Sequence, residues 1–388
     1  MPTAADFRFA ARDPHEGHRG ASPLELIFDL ATVIAIAAAA HGLAGAVESG
    51  RILPGVIGFL CSFFMIWWAW MNYSWFASAY DDSSSGFRMM TMVVMFGALM
   101  LAAGIGAVFA GERIWLALLG FVIMRAGMVA FWLGAARGDP GRRATAHAYA
   151  AGIGAMQIWW IAVVVLVAPQ SPAYLPLFLL GVAGELAVPV RAERRGATPW
   201  HRQHMIERYG GLNVIVLAEV FLAISAMIRL PAGAALPDAG LIWLALLSAV
   251  IAFALWGIYF AEGAHLTGEG LHHALLWGYG HLALFAAGAA TGAGLTVMRA
   301  VASHAAHVPA RSGIVAVTLP VAVYLAVLWL IRDRLCLAGA ARWLLPAAAA
   351  LVLVIGRAAP VPAALPASAL LLAGAALLRR SLAQATAG

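Results

Sequence analysis

The chain is 388 residues long, 63% hydrophobic and only 11% charged, against roughly a quarter charged in a soluble domain. That balance leaves too little polar surface to cover a globular fold, and no polar stretch is long enough to form a separate soluble domain. The net charge of +6 comes from arginine alone, with no lysine; spread over many short loops, it fits membrane topology better than nucleic-acid binding.

The first 22 residues are polar and lack an apolar core, so no cleavable signal peptide is expected and the first span serves as its own insertion signal. A span needs about 20 mainly apolar residues. That ruler predicts helices over 23–47, 52–80, 88–110, 114–136, 145–168, 173–190, 208–230, 239–262, 273–299, 312–332, 342–357 and 363–379. The fold class is therefore an all-α, polytopic transmembrane helical bundle of 10–12 spans, twelve being the preferred count because the last three apolar runs divide less clearly. With twelve spans and a cytoplasmic N-terminus, 17 arginines fall on the cytoplasmic side and 6 outside, leaving Arg125 inside a span. The positive-inside rule then puts both termini on the cytoplasmic face of an inner membrane. Cys61 and Cys336 lie in apolar segments and suggest neither a disulfide framework nor a thiolate metal site.

The expected organisation is a tail (1–22), a first helical half (23–190), a basic cytoplasmic loop (191–207), a second helical half (208–380) and a C-terminal tail (381–388). The halves carry hints of a parallel repeat. Trp70-Met-Asn-Tyr73 and Trp256-Gly-Ile-Tyr259 each close a second span, Glu25 and Glu207 each open a first, and Gly104 and Gly106 resemble Gly292 and Gly294. Aromatic-rich spans also produce such short matches without a repeat.

An ionisable side chain at mid-span costs roughly 2.5–3.5 kcal/mol on insertion scales and normally faces the protein interior. Ser22-Pro-Leu-Glu25 reads as a helix start, with Ser22 as N-cap, Pro23 in the first turn and Glu25 near the positive dipole end. Asp29 lies one turn deeper, on the same face as Thr32, and suits an inter-helix or functional contact. Glu219 and Arg125 are both central in their spans, and a buried pair between them is the hypothesis they suggest. Asp29, Asn72, Tyr73, Tyr259 and His281 all fall in the cytoplasmic halves of their spans and could line a polar vestibule. For the aromatics, with Trp67, Trp68 and Trp70, an interfacial belt is the simpler reading.

Asp81, Asp82 and Arg88 flank a Ser-Ser-Ser-Gly turn and are expected to form a structural loop network. His265, His272 and His273, with Glu262 and Glu269, match no standard metal spacing, so no metal is expected, and no cofactor. Gly288-xxx-Gly292 reads as close helix packing. No phosphate loop, zinc-protease helix, nucleophile elbow or dinucleotide fingerprint is present, and an enzyme is not expected.

Several ordered blocks carry a family resemblance. Pro23-Leu-Glu-Leu-Ile-Phe-Asp-Leu30 resembles the opening signature of the bacterial low temperature requirement A (LtrA) family. Trp67-Trp-Ala-Trp70 followed by Tyr80-Asp-Asp and Arg88 resembles its second block, and Glu207-Arg-Tyr-Gly210 through Ala218-Glu219 a third, which adds Glu207 and Arg208 to the candidate polar core. Trp256-xx-Tyr-Phe260 followed by Tyr279-Gly-His281 extends the match to about residue 300. Departures are Ala218 where the family has glycine, Ala261-Glu262 where Asp follows Tyr-Phe, and Ala31-Thr32 after the first Asp-Leu. The resemblance implies an integral membrane protein tied to growth in the cold, and no mechanism.

Together these features suggest a proton-coupled transporter or permease of a small solute or ion, with the lipid bilayer as its main partner and no nucleic acid. The alternative is a non-transporting membrane scaffold or envelope factor whose buried charges are purely structural.

Overall fold

The computed structural model describes residues 7–17, 19–229, 238–261, 266 and 270–387, and side chains as far as Ser381. Among the described residues there are helices and no strands. The long helices are α1 (Pro23–Glu48), α2 (Ile52–Tyr80), α3 (Ser85–Ala110), α4 (Trp115–Gly138), α5 (Arg143–Leu166), α6 (Tyr174–Glu193), α7 (Arg202–Met227), α8 (Ala239–Tyr259), α9 (Leu271–Ala302) and α10 (Ala310–Leu328). A π-helical turn (Trp329–Asp333) and the short α11 (Arg334–Cys336) prolong α10. A 3₁₀ turn (Gly339–Trp343), α12 (Leu344–Ala358) and α13 (Val361–Ala387) follow. Twelve helical segments of the described chain are long and apolar enough to cross a membrane, as expected, and the last three spans are now divided.

Local chemistry sets the helix ends. Ser84 caps α3 by accepting from the Phe87 N–H, and Gly111, at φ 70°, closes it in the left-handed region. Asp238 caps α8 through the Leu241 N–H. Within the spans, apolar residues cover both faces: Ala35, Ile36 and Ala39 of α1 are buried, while Leu26, Leu30 and Ile34 are exposed. A helix that is apolar all round needs a lipid-facing surface as well as a protein-facing one.

The chain forms two compact units, Met1–Ala39 with Gly58–Arg208, and Ala40–Ile57 with Tyr209–Gly388. In the first, glycines bring backbones together. Gly97 and Gly104 of α3 lie on Gly120 and Ala117 of α4, while Gly181 and Gly184 of α6 receive Trp160 and Met156 of α5. In the second, Gly294 of α9 lies on Ala316 of α10, and Gly356 of α12 on Thr318. One contact pattern recurs. Tyr73 of α2 hydrogen-bonds Thr91 of α3 at 3.2 Å, and Tyr259 of α8 bonds His281 of α9 at 3.2 Å. In each case the glycine thirteen residues farther along the third helix, Gly104 or Gly294, is where the fourth helix packs. The two tryptophans of the WxxY motifs diverge: Trp70 is buried, whereas Trp256 is half exposed.

Two segments expected to be tails are more ordered than composition suggests. Phe9 is buried among Phe76, Phe87 and Phe131, its ring and backbone seated on Gly134 and Gly138, where no side chain interferes. Arg12 donates to the Asp81 carbonyl, and Arg19 to those of Ser78 and Ala77, so two cations satisfy the carbonyl end of α2. At the other terminus, α13 continues to Ala387, past the expected end at 380.

Candidate functional site

The densest polar cluster lies in the first unit, where the starts of α1 and α7 meet the last third of α2. Ser22 and Glu25 form a reciprocal capping box: the Ser22 N–H donates to Glu25 Oε2 at 2.9 Å, and the Glu25 N–H to Ser22 Oγ at 3.2 Å. At the start of α7, His201 Nδ1 accepts from the His204 N–H at 3.1 Å, an imidazole cap that places His204 Nε2 3.1 Å from Glu25. One turn on, Arg208 grips Asp29 through two parallel bonds, Nη1 to Oδ2 at 2.6 Å and Nη2 to Oδ1 at 2.7 Å. Trp70 Nε1 adds a third donor to Asp29 at 2.8 Å, and its ring lies 5.4 Å from the guanidinium carbon. Arg208 also reaches Ser74 and stands 3.6 Å from Glu25. All these ionisable groups are buried. Two carboxylates, one guanidinium and one imidazole thus hold α1, α2 and α7 in register.

A second cluster corrects the pairing expected from span depth. Arg125 bonds Glu185 of α6, not Glu219, through Nη2 to Oε2 at 2.6 Å. Glu185 accepts two further bonds, from Trp68 at 2.8 Å and Trp160 at 3.1 Å, so three donors on three helices converge on one buried carboxylate. Sequence reading passed over Glu185 because it stands in a short, less apolar span. A carboxylate in the same half as the lone mid-span arginine was the available signal.

In the second unit, His281 is fully engaged. Its Nδ1 donates to the Trp277 carbonyl at 2.8 Å, which leaves Nε2 to accept from Tyr259, while Tyr209, Trp277 and Phe285 pack around the ring. Tyr324 donates to Asn213 at 2.8 Å. Arg332, Asp333 and Arg379, expected near span ends, are buried together. Arg379 bonds both Asp333 oxygens at 2.6 and 2.9 Å, Arg332 bonds Oδ1 at 2.7 Å, and Arg332 also caps the carbonyls of Tyr259 and Ile258 at the end of α8. Glu219 differs from all of these carboxylates. It is 6% exposed, Oε1 is buried without a hydrogen-bond partner, and no cation pairs with it among the described residues. Gly292 of α9 presses against its Cβ and backbone, where a Cβ on residue 292 would come within 2.5 Å.

Asn72 turns back to donate to the Trp68 carbonyl, and the Tyr73 ring lies 4.1 Å from that of Phe28, centroid to centroid; both side chains are buried. Glu207 is half exposed and accepts from Gln203, unlike the buried Glu25 to which it aligns. Asp81 and Asp82 each accept from the backbone N–H two residues on, Ser83 and Ser84, while Arg88 is exposed and bonds neither. Burial pushes the Asp81 carboxyl above its ordinary range, whereas the hydrogen bonds from Arg12 hold Glu16 below its own. Among the described residues no three His, Cys, Asp or Glu side chains gather as for a metal. His272 and His273 are exposed, and Glu262, His265 and Glu269 lie outside the described residues.

No curated protein and no solved structure matches the chain. A family model described as bacterial low temperature requirement A protein (LtrA) matches residues 20–379, nearly the whole chain. That match runs from the α1 capping box through the last span and takes in every polar cluster described above. The chain belongs to the bacterial low temperature requirement A family of integral membrane proteins.

Proposed function

We propose that this protein is a proton-coupled transporter or permease of a small solute, spanning the bacterial inner membrane with both termini in the cytoplasm. The observation that carries the reading is Glu219. Asp29, Glu185 and Asp333 are each bound to arginine, and Glu25 to His204, so a proton reaching any of them displaces an existing partner. Among the described residues Glu219 has no ion pair to break when it gains or loses a proton, and it stands in the apolar stretch 214–222 of α7. The Asp29–Arg208 and Arg125–Glu185 pairs then serve as fixed struts.

A scaffold reading draws on those same struts: buried, well-bonded pairs suit a rigid architecture as well as a transport cycle. The two readings separate in proteoliposomes enclosing a pH-sensitive dye, with a panel of solutes and ions screened for proton movement. Wild type and Glu219→Gln are compared at matched insertion. Solute-dependent proton flux that disappears in Glu219→Gln is the expected result. No flux across the panel, with a stable variant, would favour the scaffold.

A further inference from the structure

Arg125 meets its counter-ion with only one of its three nitrogens. Nη2 donates to Glu185, while Nε and Nη1 are buried with no hydrogen-bond partner among the described residues. The other buried arginines are better satisfied. Arg332 donates through all three nitrogens, and Arg208 and Arg379 through both terminal ones. A buried donor that meets no acceptor carries its whole desolvation penalty. Here the donors belong to a cation, 1% exposed, near the middle of α4.

Gln157 of α5 shows a matching lack. Its Oε1 and Nε2 are both buried and bond nothing among the described residues. By contrast, Gln170 donates to the Gly111 carbonyl and Gln203 to Glu207. Helices α4 and α5 pack against each other, joined by the 3₁₀ turn Pro140–Arg142, and Trp132 stacks on Tyr149 with 3.9 Å between centroids. That stack fixes the antiparallel register. Arg125 lies seven residues before Trp132, and Met156 and Gln157 lie seven and eight after Tyr149, which puts them at one depth. Met156 is turned onto Gly184 of α6. Gln157, between the buried Ile153 and Trp160 on the inner face of α5, is therefore the amide at the level of the guanidinium.

We propose that Arg125 and Gln157 bind a small neutral solute of the amide or urea class. Its carbonyl oxygen accepts from the unused Arg125 N–H groups, and its NH₂ group donates to Gln157 Oε1. Charge selects a neutral occupant. Arg125 and Glu185 cancel, so an anion would add a buried charge without a counter-ion, and a cation would face the guanidinium. Glu185 already accepts from three donors, so the acceptor that Arg125 lacks has to come from the solute. The bond from Nη2 to Glu185 stays in place on binding. The inference holds whether or not Glu219 carries protons.

The test uses the full-length protein in mild detergent, with saturation-transfer NMR and thermal melting in the presence of acetamide, acetate or glycerol. Wild type should bind acetamide saturably and in preference to the other two. Arg125→Lys keeps a cation opposite Glu185 but removes the spare guanidinium N–H groups, and should weaken acetamide binding about tenfold or more. Gln157→Met preserves the length of the side chain and should weaken binding about fivefold. Because Gln157 bonds nothing in the described protein, that variant should melt no lower than wild type without acetamide. It keeps the test open if Arg125→Lys fails to fold. No saturable acetamide binding by wild type would mean that water alone meets these groups, and would overturn the proposal. So would acetate or glycerol bound as tightly as acetamide, or an acetamide affinity unchanged in Gln157→Met.

Discussion

Replacing Glu185 by glutamine changes almost no volume, yet it should be among the most damaging single substitutions in the chain. The carboxylate receives three donors, Arg125 Nη2, Trp68 Nε1 and Trp160 Nε1, at 2.6, 2.8 and 3.1 Å. A carboxamide offers one oxygen and one NH₂ group, so either orientation sets an N–H against an N–H. Arg125, 1% exposed, also loses its counter-charge. Breaking a buried pair from one side costs about 3–5 kcal/mol, and the stranded indole N–H adds to that. Removing the stranded charge as well, in Arg125→Met/Glu185→Gln, should recover part of the loss. The double variant should be less destabilised than the sum of the singles by about 2 kcal/mol or more. Reversible unfolding in mixed micelles, followed by tryptophan fluorescence, measures all four corners of the cycle. A Glu185→Gln variant within 1 kcal/mol of wild type, or strictly additive single changes, would refute the claim that this carboxylate holds three helices together.

Two further expectations concern the N-terminal segment. Phe9→Ala empties an aromatic pocket lined by Phe76, Phe87 and Phe131, a loss of about 3–5 kcal/mol for a core phenylalanine. Because the segment can peel away by itself, the loss should appear as faster proteolysis near Arg12 with little change in global unfolding; unchanged cleavage would count against the packing described. Glu16 is held below its ordinary range by Arg12, so its contribution is complete above the unfolded value of about 4.3 and disappears as pH falls through the lower, folded value. Pepsin cleavage of the segment should therefore accelerate on acidification below about pH 4, and Glu16→Gln should remove that step. Asp81, pushed upward by burial, has the opposite sign and cannot produce an acid-induced release.

The sequence by itself determined that the chain lives in lipid, that it crosses ten to twelve times, and to within a few residues where most of the helices begin. Those features depend on local composition: runs of about 20 apolar residues, Ser22 and Glu25 at a helix start, glycine or proline at a boundary. It also marked Asp29, Arg125 and Glu219 as out of place, because the cost of an ionisable group in a bilayer is a property of the single residue. Which groups neutralise one another was decided only by tertiary structure. Arg125 and Glu185 stand 60 residues apart in sequence, Asp29 and Arg208 179. Apolar spans have no surface periodicity to reveal which face meets which helix. Nor could composition distinguish Phe9, an anchor, from an idle tail residue, since its pocket exists only once Gly134 and Gly138 leave room on α4. The arginines of residues 332–380 read alike as loop charges. Only the fold separates Arg332 and Arg379, buried on Asp333, from Arg342 and Arg380, which are exposed.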